Sequence, residues 1–485
     1  MQRPQSPEAL EAGQYELRGL DRINVVLGKN GCGKSTLMKV VEQQLPTRGQ
    51  KRYITPERAG ILTYEPGIEN NLANDKNWLS QSRRVNQYAQ FRQQSMAQFR
   101  RLELAVLRSG EGKSVVDFNP YIDRLNGLLD NIDIERNETT FDIYSTRNGD
   151  RVAVPASEIS SGEAELISLG IEALAFAESL DRDLENYLIL DEPDVHLHPD
   201  LQSRLMRFLV GLVDEYGFRV LMATHSTAIL GALADVAGTR VCFMLARETA
   251  LDFEEITGAL RSVLPVFGAH PLSNIFNEAP VLLVEGEDDE RVWQQAVRTA
   301  GGALRVYPVA VEDGVSGMND FEQEVRRIIG AVYEDAIGYS LRDRDETTGE
   351  IDDEPPVRRM KLGCRAAENL ILSDDVLAAV RLTPIQLKER IEAWLTSNAD
   401  HQDAAAMAAF RDGGFDRKGA DLKVIRNILT GMILNSNKSW EVLAGQAIGR
   451  LAKSGAAPWP PPPHSLQSYL GDKAVANLLR ASSER

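Results

Sequence analysis

The feature that narrows this chain most is an eight-residue stretch, Gly28-Lys29-Asn30-Gly31-Cys32-Gly33-Lys34-Ser35. An apolar run, Ile23 to Leu27, precedes it, and Thr36-Leu37-Met38-Lys39-Val40-Val41 follows as the expected start of a helix. Strand, glycine loop and helix in that order are the setting in which backbone N–H groups wrap around phosphate oxygens. Glycines at 28, 31 and 33 permit the curl, and the positive end of the helix dipole faces the same anion. Lys34 would reach the β- and γ-phosphates, and the Ser35 hydroxyl would ligate Mg²⁺. Asn30 and Thr36 join the three glycines in the expected phosphate-binding set. The ligand this predicts is ATP with Mg²⁺.

Such a loop needs a second element, and Tyr187-Leu188-Ile189-Leu190-Asp191-Glu192-Pro193 supplies it as an apolar strand ending in two acids. Asp191 would hold Mg²⁺ through its water shell, and Glu192 would orient the attacking water. Ile159-Ser160-Ser161-Gly162-Glu163 precedes a helix expected from about Ala164. Ser160, Ser161 and Gly162 therefore lie at a helix N-terminus able to cap a phosphate held by another chain. Arg219 to Thr224 reads as a strand that ends at His225, where the ring can touch the γ-phosphate.

In order and spacing these four elements resemble the ABC-type ATPase head of SMC, RecF-like and OLD (overcoming-lysogenisation-defect) proteins. The resemblance covers roughly the first half of the chain. It implies that Ile159 to Glu163 is the signature motif, Asp194 the D-loop and His225 the switch. It also implies a homodimer or higher homo-oligomer, with ATP sandwiched between two heads. Asp194-Val195-His196-Leu197-His198-Pro199 resembles the HLHP stretch of OLD-type ATPases. Its histidines lack further ligands at zinc spacing and are expected to be structural. Arg52 to Arg58 carries no chemistry that the residues alone disclose.

At 485 residues two or three domains are expected, and 43% hydrophobic with 26% charged residues is ample for buried cores. Cys32, Cys242 and Cys364 lie far apart with no CxxC pair, so a reducing, cytoplasmic setting is expected. Met1 to Glu8 lacks a signal peptide's apolar core, and no apolar run is long enough to span a bilayer. The net charge of −17 argues against nonspecific coating of nucleic acid. Locally the balance inverts: Lys76, Arg83, Arg84, Arg92, Arg100, Arg101 and Arg108 face only Glu103. Val85, Tyr88, Phe99, Leu102 and Val106 recur at helical spacing there. The expectation is a helical arm, residues 71–136, inserted into a head made of residues 1–70 and 137–270. Pro120 to Arg136 would be its return helix. The arm is either a solvated lobe or a contact for a partner or nucleic acid.

Near Val281 the pattern restarts. Val281 to Val284 is a buried-type strand ending in Glu285-Gly286-Glu287-Asp288-Asp289, with a helix from Glu290. A strand candidate at Leu304 to Val309 and a helix around Phe321 to Val332 follow. Ile337 to Leu341 then runs into Arg342-Asp343-Arg344-Asp345. Alternating strands and helices imply a small parallel sheet, and both acidic clusters lie at carboxyl ends of strands, where open α/β sheets place their sites. Carboxylates gathered without His or Cys suit Mg²⁺, or Mn²⁺, acting on a phosphodiester.

The set Val284-Glu285-Gly286-x-x-Asp289 with Asp343-x-Asp345 resembles a Toprim domain, expected over residues 275–375. That resemblance implies Glu285, Asp343 and Asp345 as the metal cluster, with Asp289 in support. Arg342 to Asp345 and Arg365 to Leu372 further resemble the OLD-like effectors of bacterial antiviral systems, notably the PARIS nuclease. Glu368 either completes the cluster or caps a helix. From residue 376 to 485 a helical region is expected, with a basic patch at Arg417-Lys418-Gly419, Lys423 and Arg426, and a stiff spacer at Trp459 to Pro463.

The fold class is thus α/β: a P-loop head with an inserted arm, a small Toprim-like domain and a helical end. The expected function is an ATP-binding and hydrolysing sensor that controls a Mg²⁺-dependent nuclease in antiviral defence. Its partners would be nucleic acid, DNA or tRNA, and a phage trigger protein, with no membrane. Two alternatives stay open: a DNA-repair or chromosome-maintenance clamp whose acidic domain is non-catalytic, and an ATPase scaffold holding a separate effector.

Overall fold

The computed structural model describes residues 9–54, 88–109, 117–137, 141–146, 151–155, 158–245, 248–261, 264, 279–311, 314–333, 336–347, 349–434, 439–455 and 460–479. The chain divides into two compact units, Met1–Pro271 and Leu272–Arg485. Among the described residues no helix is long and apolar enough to cross a membrane.

The first unit opens with an antiparallel hairpin of β1 (Ala9–Ala12) and β2 (Tyr15–Arg18). Then come β3 (Ile23–Leu27), α1 (Lys34–Gln44) and β4 (Lys51–Ile54). After α2 (Tyr88–Ser109) and α3 (Asn119–Asn126), the strands β5 (Ile132–Arg136), β6 (Phe141–Ser145) and β7 (Val152–Ala153) form a small antiparallel sheet. Next are α4 (Ser161–Glu178), β8 (Tyr187–Asp191), α5 (Pro199–Tyr216), β9 (Arg219–Thr224), α6 (Thr227–Leu233), β10 (Thr239–Phe243), β11 (Ala250–Asp252) and β12 (Glu254–Glu255).

The main sheet runs β12-β10-β3-β9-β8-β4, and from β10 to β4 every pairing is parallel. Both β3 and β8 are buried along their whole length, which is why they read as unbroken apolar runs. Below them, Val26, Leu37, Met38, Val41, Ile189 and Leu221 belong to one core that locks α1 onto the sheet. Because β3, β9 and β8 are parallel neighbours, the segments after them, which carry Gly28, His225 and Glu192, open on one edge.

Of the expected arm, residues 71–87 and 110–116 lie outside the described residues. What is described has an aromatic centre: Phe99 of α2 stands 5.2 Å from Phe118 and 4.5 Å from Phe141 of β6, measured between ring centroids. Such pairs add roughly 0.5–1.5 kcal/mol each beyond buried area. The expected return helix is corrected. Only α3 is helical, and Ile132–Arg136 is a strand in which Ile132 and Ile134 are buried while Asp133 and Glu135 are half-buried. That period of two cannot lie along one helix face.

In the second unit β13 (Val281–Val284), α7 (Glu287–Ala300), β14 (Tyr307–Ala310), α8 (Gly314–Val332), β15 (Gly338–Arg342) and β16 (Val357–Lys361) build a four-stranded sheet. Its order is β14-β13-β15-β16, all parallel. The chain leaves β13 to one side and later returns on the other, so the topological switch point lies between the ends of β13 and β15. A 3₁₀ turn (Ala367–Leu372) and helices α9 (Asp374–Ala379), α10 (Pro384–Ser397), α11 (Ala404–Asp412), α12 (Arg426–Ile433) and α13 (Trp440–Ser454) follow.

These helices share one core with the sheet: Leu282, Trp293 and Leu341 cluster with Ile371, Leu429 and Ile448. The closest approach is α13 on α7. A Cβ on Gly445 would stand 2.4 Å from the Val292 carbonyl, and one on Gly449 would stand 2.6 Å from that of Ala296. Two glycines a turn apart let the helix backbones touch, and any larger residue would force them apart.

Candidate functional site

The glycine loop is closed by its own hydrogen bonds. Gly28 N donates to Thr224 O at 3.3 Å, pinning the loop to the end of β9, and Cys32 N donates to Lys29 O at 3.3 Å. Gly31 and Gly33 take φ of 79° and 108°, the left-handed region that disfavours any side chain. The buried Lys34 folds back onto the loop, its Nζ donating to the carbonyls of Gly28 at 2.6 Å and Lys29 at 2.9 Å. The same ammonium lies 3.7 Å from Glu192 Oε1. Ser35 and Thr36 stand on the first turn of α1, and Asn30 is exposed on the loop.

Each acid at the ends of β8 and β9 meets a partner. Asp191, fully buried, accepts from the Tyr53 hydroxyl at 2.7 Å. Glu192 is held at φ 48°, its N–H donating to Ala223 O at 2.8 Å; a non-glycine residue in that region is strained. Asp194 accepts from the Thr224 hydroxyl at 2.5 Å, and its other oxygen lies 3.3 Å from His225 Nδ1. The His225 ring is thereby oriented while remaining partly exposed. His198 caps α5 by accepting from Asp200 N, a structural role.

At the start of α4, Ser160 forms a capping box with Glu163. Its hydroxyl donates to Glu163 Oε2 at 2.5 Å and accepts from Glu163 N at 3.3 Å. The cap starts the helix at Ser161, three residues before the expected Ala164. A Cβ on Gly162 would lie 3.2 Å from the His196 carbonyl, so this turn packs against the segment after Glu192.

In the second unit the acids converge at the switch point. Glu285 follows β13 and its Oε1 accepts from the Asp343 N–H at 3.3 Å, joining the ends of β13 and β15. Asp289 stands in the first turn of α7. Asp343 Oδ1 accepts from Ala367 N at 3.1 Å, which brings the 3₁₀ turn and the buried Glu368 beside the site. Burial raises the Glu285 carboxyl, and Asp345 adds to the rise. Burial, then Glu368, Glu285 and Asp288, push Asp289 up to about 7. Burial, then Asp289, Glu285 and Glu368, push Asp343 up to about 9. These are like charges forced together with too little positive charge between them. Asp345 is exposed at φ 50°, its N–H donating to Arg365 O at 2.9 Å. Among the described residues, no three His, Cys, Asp or Glu side chains already converge in metal-binding geometry; the carboxylates line one site without forming a closed cage. The donor set nonetheless suits a hard divalent cation, being all oxygen, half-buried at Glu285, Asp289 and Asp343, and short of counter-charge.

Two contacts escape the sequence reading. Arg426 of α12, expected only as a member of the basic patch, pairs with Glu368 at 2.7 Å and Asp288 at 2.8 Å, and no spacing links positions 288, 368 and 426. Tyr53 bonds Asp191 across strands, and nothing in the local sequence Lys51-Arg52-Tyr53-Ile54 signals the contact.

A family profile described as "AAA domain, putative AbiEii toxin, Type IV TA system" matches residues 61–231. It begins downstream of the glycine loop and takes in the capped turn and the Asp-Glu strand. Comparison with curated protein sequences gives no match. Among solved structures, the SMC head domain from Thermotoga maritima is similar at 17% identity, covering 51% of this chain and 97% of that one, TM-score 0.27. The SMC head domain with an extended coiled coil from Pyrococcus furiosus, solved bound to the C-terminal domain of ScpA, is similar at 12% identity. That alignment covers 39% of this chain and 46% of the other, with a TM-score of 0.22. The profile match gives similarity to an AAA domain over residues 61–231, and the glycine loop, the acid-ended strand and His225 open on one edge in the arrangement of a P-loop nucleotide site.

Proposed function

We propose that the chain is an ATP-dependent sensor whose second unit is a Toprim-like, Mg²⁺-dependent nuclease acting on DNA or tRNA in bacterial defence against phage. The observation that carries the nuclease half is the gathering of Glu285, Asp289, Asp343 and Glu368 at one switch point, where burial and mutual crowding raise the carboxyls of Glu285, Asp289 and Asp343. Such a site is built to be completed by a cation. The toxin–antitoxin description of the matched family accords with a defence role.

Ser35 and Asp191 in the first unit, and Glu285, Asp289, Asp343 and Asp345 in the second, would hold Mg²⁺ (or Mn²⁺ in the second), which supplies Lewis-acid polarisation of a phosphoryl oxygen. In the head, Lys34 exchanges its loop carbonyls for the β- and γ-phosphates of ATP. Its departure frees Glu192 to orient water. Asp194 keeps His225 turned toward the γ-phosphate edge. Ser160, Ser161 and Gly162 face the nucleotide of a second copy, so hydrolysis requires a homodimer. In the second unit Glu285 steadies the Asp343 backbone, and Ala367 N fixes the Asp343 carboxylate. Closure and reopening of paired heads sets when the second unit acts, with a phage protein as trigger.

The test is cleavage of DNA and tRNA by the full chain with Mg²⁺ or Mn²⁺, in ATP, in ADP and without nucleotide. The expected result is cutting that Asp343→Ala removes while ATP hydrolysis persists. If neither substrate is cut in any nucleotide state, and Asp343→Ala leaves phage protection intact, the clamp reading replaces the nuclease.

A further inference from the structure

We infer that Tyr53 is a positioning residue for the metal-holding carboxylate of the ATPase head, acting through Asp191 and not on the nucleotide. This rests on the assignment of Asp191 to the Mg²⁺ shell and goes beyond it by naming what sets that carboxylate's orientation.

The register makes the contact. β4 is the edge strand, parallel to β8, with Tyr53 opposite Ile189 and Ile54 opposite Leu190. Alternate residues of a strand share a face, so Tyr53, Ile189 and Asp191 project to the same side of the sheet. A tyrosine is long enough to reach the diagonal neighbour, and its hydroxyl donates to Asp191 Oδ2 at 2.7 Å. Tyr53 is 3% exposed and Asp191 0%. Water therefore does not compete for this bond, and a hydroxyl bonded to a carboxylate is of the stronger, charge-assisted kind. The aspartate's terminal torsion is intrinsically soft, so the phenol acts as the stop that fixes which way the carboxylate plane faces. The ring belongs to the same core as Leu37, Met38 and Ile189, between the sheet and the helix that carries Ser35. Removing only the hydroxyl leaves that packing in place.

Partners that orient a metal ligand typically contribute about 10- to 100-fold to metal affinity. The test is Tyr53→Phe in the full chain, with binding of a fluorescent ATP analogue titrated first in EDTA and then against Mg²⁺. The expected result is equal nucleotide affinity in EDTA and a Mg²⁺ half-saturation raised about 10- to 100-fold in the variant. In an Asp191→Ala background, which removes the acceptor, the same substitution should produce no further rise, because the two changes remove one interaction. An unchanged Mg²⁺ dependence overturns the inference. So does an equal loss of affinity in EDTA, or a Tyr53→Phe chain that fails to fold, since the hydroxyl would then serve structure alone. Wild-type protein that binds no nucleotide at any Mg²⁺ concentration sinks the ATPase assignment itself, a separate outcome.

Discussion

The two units each end parallel strands in clusters of acids, and they treat those acids in opposite ways. In the first, the acids meet separate partners: Asp191 accepts from Tyr53, Asp194 accepts from Thr224 and lies 3.3 Å from His225 Nδ1, and Glu192 lies 3.7 Å from Lys34. In the second, Glu285, Asp289 and Asp343 crowd one another beside Glu368, and positive charge reaches them from Arg342, from the exposed Lys423 and from Arg426, which pairs with Glu368 and Asp288. A carboxylate supplied with a neutral or cationic partner stays ionised cheaply, and one crowded by its own kind holds its proton. The first site therefore offers Lys34 and the loop N–H groups to an anion, which a Mg²⁺-bound triphosphate brings. The second lacks a cation.

The contrast breaks most visibly at its two strongest members. Lys34→Ala removes the only buried ammonium at the loop among the described residues; truncating one partner of such a buried charged contact costs about 2–5 kcal/mol. ATP-analogue binding should fall by roughly 100-fold or more, and unchanged binding in a fluorescence titration would remove the loop from the nucleotide site. Asp343→Ala should lower metal-dependent cleavage at least about 100-fold while leaving ATP hydrolysis within a factor of about two. A joint loss of both would mean that the substitution unfolds more than the acidic site.

Much of the contrast was visible in the residues. The glycine loop, the Asp-Glu strand end and the two acidic strand ends are each local, since a strand and the loop after it are contiguous in the chain. What escaped was whatever parallel pairing assembles. Tyr53 and Asp191 are 138 positions apart, and the register of an edge strand brings them together. The same holds for Arg426, delivered to Glu368 and Asp288 by a helix that follows the sheet by more than sixty residues. Strand β5 reads as helix in the sequence because Ile132 and Ile134 alternate over only five residues, too short to tell the two periods apart.

A gentler probe uses pH, and its sign follows from the proton count. Asp289 and Asp343 hold their protons to about 7 and about 9, whereas an unfolded aspartate loses its proton near 4. Between those limits the folded chain binds more protons than the unfolded chain, so stability falls as pH rises. The full chain in EDTA should therefore melt at progressively lower temperature from pH 5 to pH 9. Mg²⁺ should restore the lost stability, and restore more of it at pH 8.5 than at pH 5.5, because metal and protons compete for the same oxygens. A melting temperature that climbs with pH in EDTA would mean that the acids are not crowded.

The smallest expected effect tests the guanidinium that, among the described residues, bridges Glu368 and Asp288 at the acidic rim. Arg426 reaches Glu368 and Asp288 with separate nitrogens, and its guanidinium also lies 5.5 Å over the Trp440 ring. Arg426→Ala would strip counter-charge from a site already short of it, at a cost of about 1–3 kcal/mol for the buried Glu368 left behind. Bound metal would supply part of that charge. The variant should thus lose more stability in EDTA than in Mg²⁺, and calorimetry at pH 8 in the two conditions measures the difference. Asp289→Asn makes the opposite change by removing one of the crowded charges, and should raise the EDTA melting temperature at pH 8.5 while weakening the response to Mg²⁺. If both variants shift stability by the same amount with and without Mg²⁺, the acids and the guanidinium form an ordinary salt-bridge network, and the second unit then resembles the first.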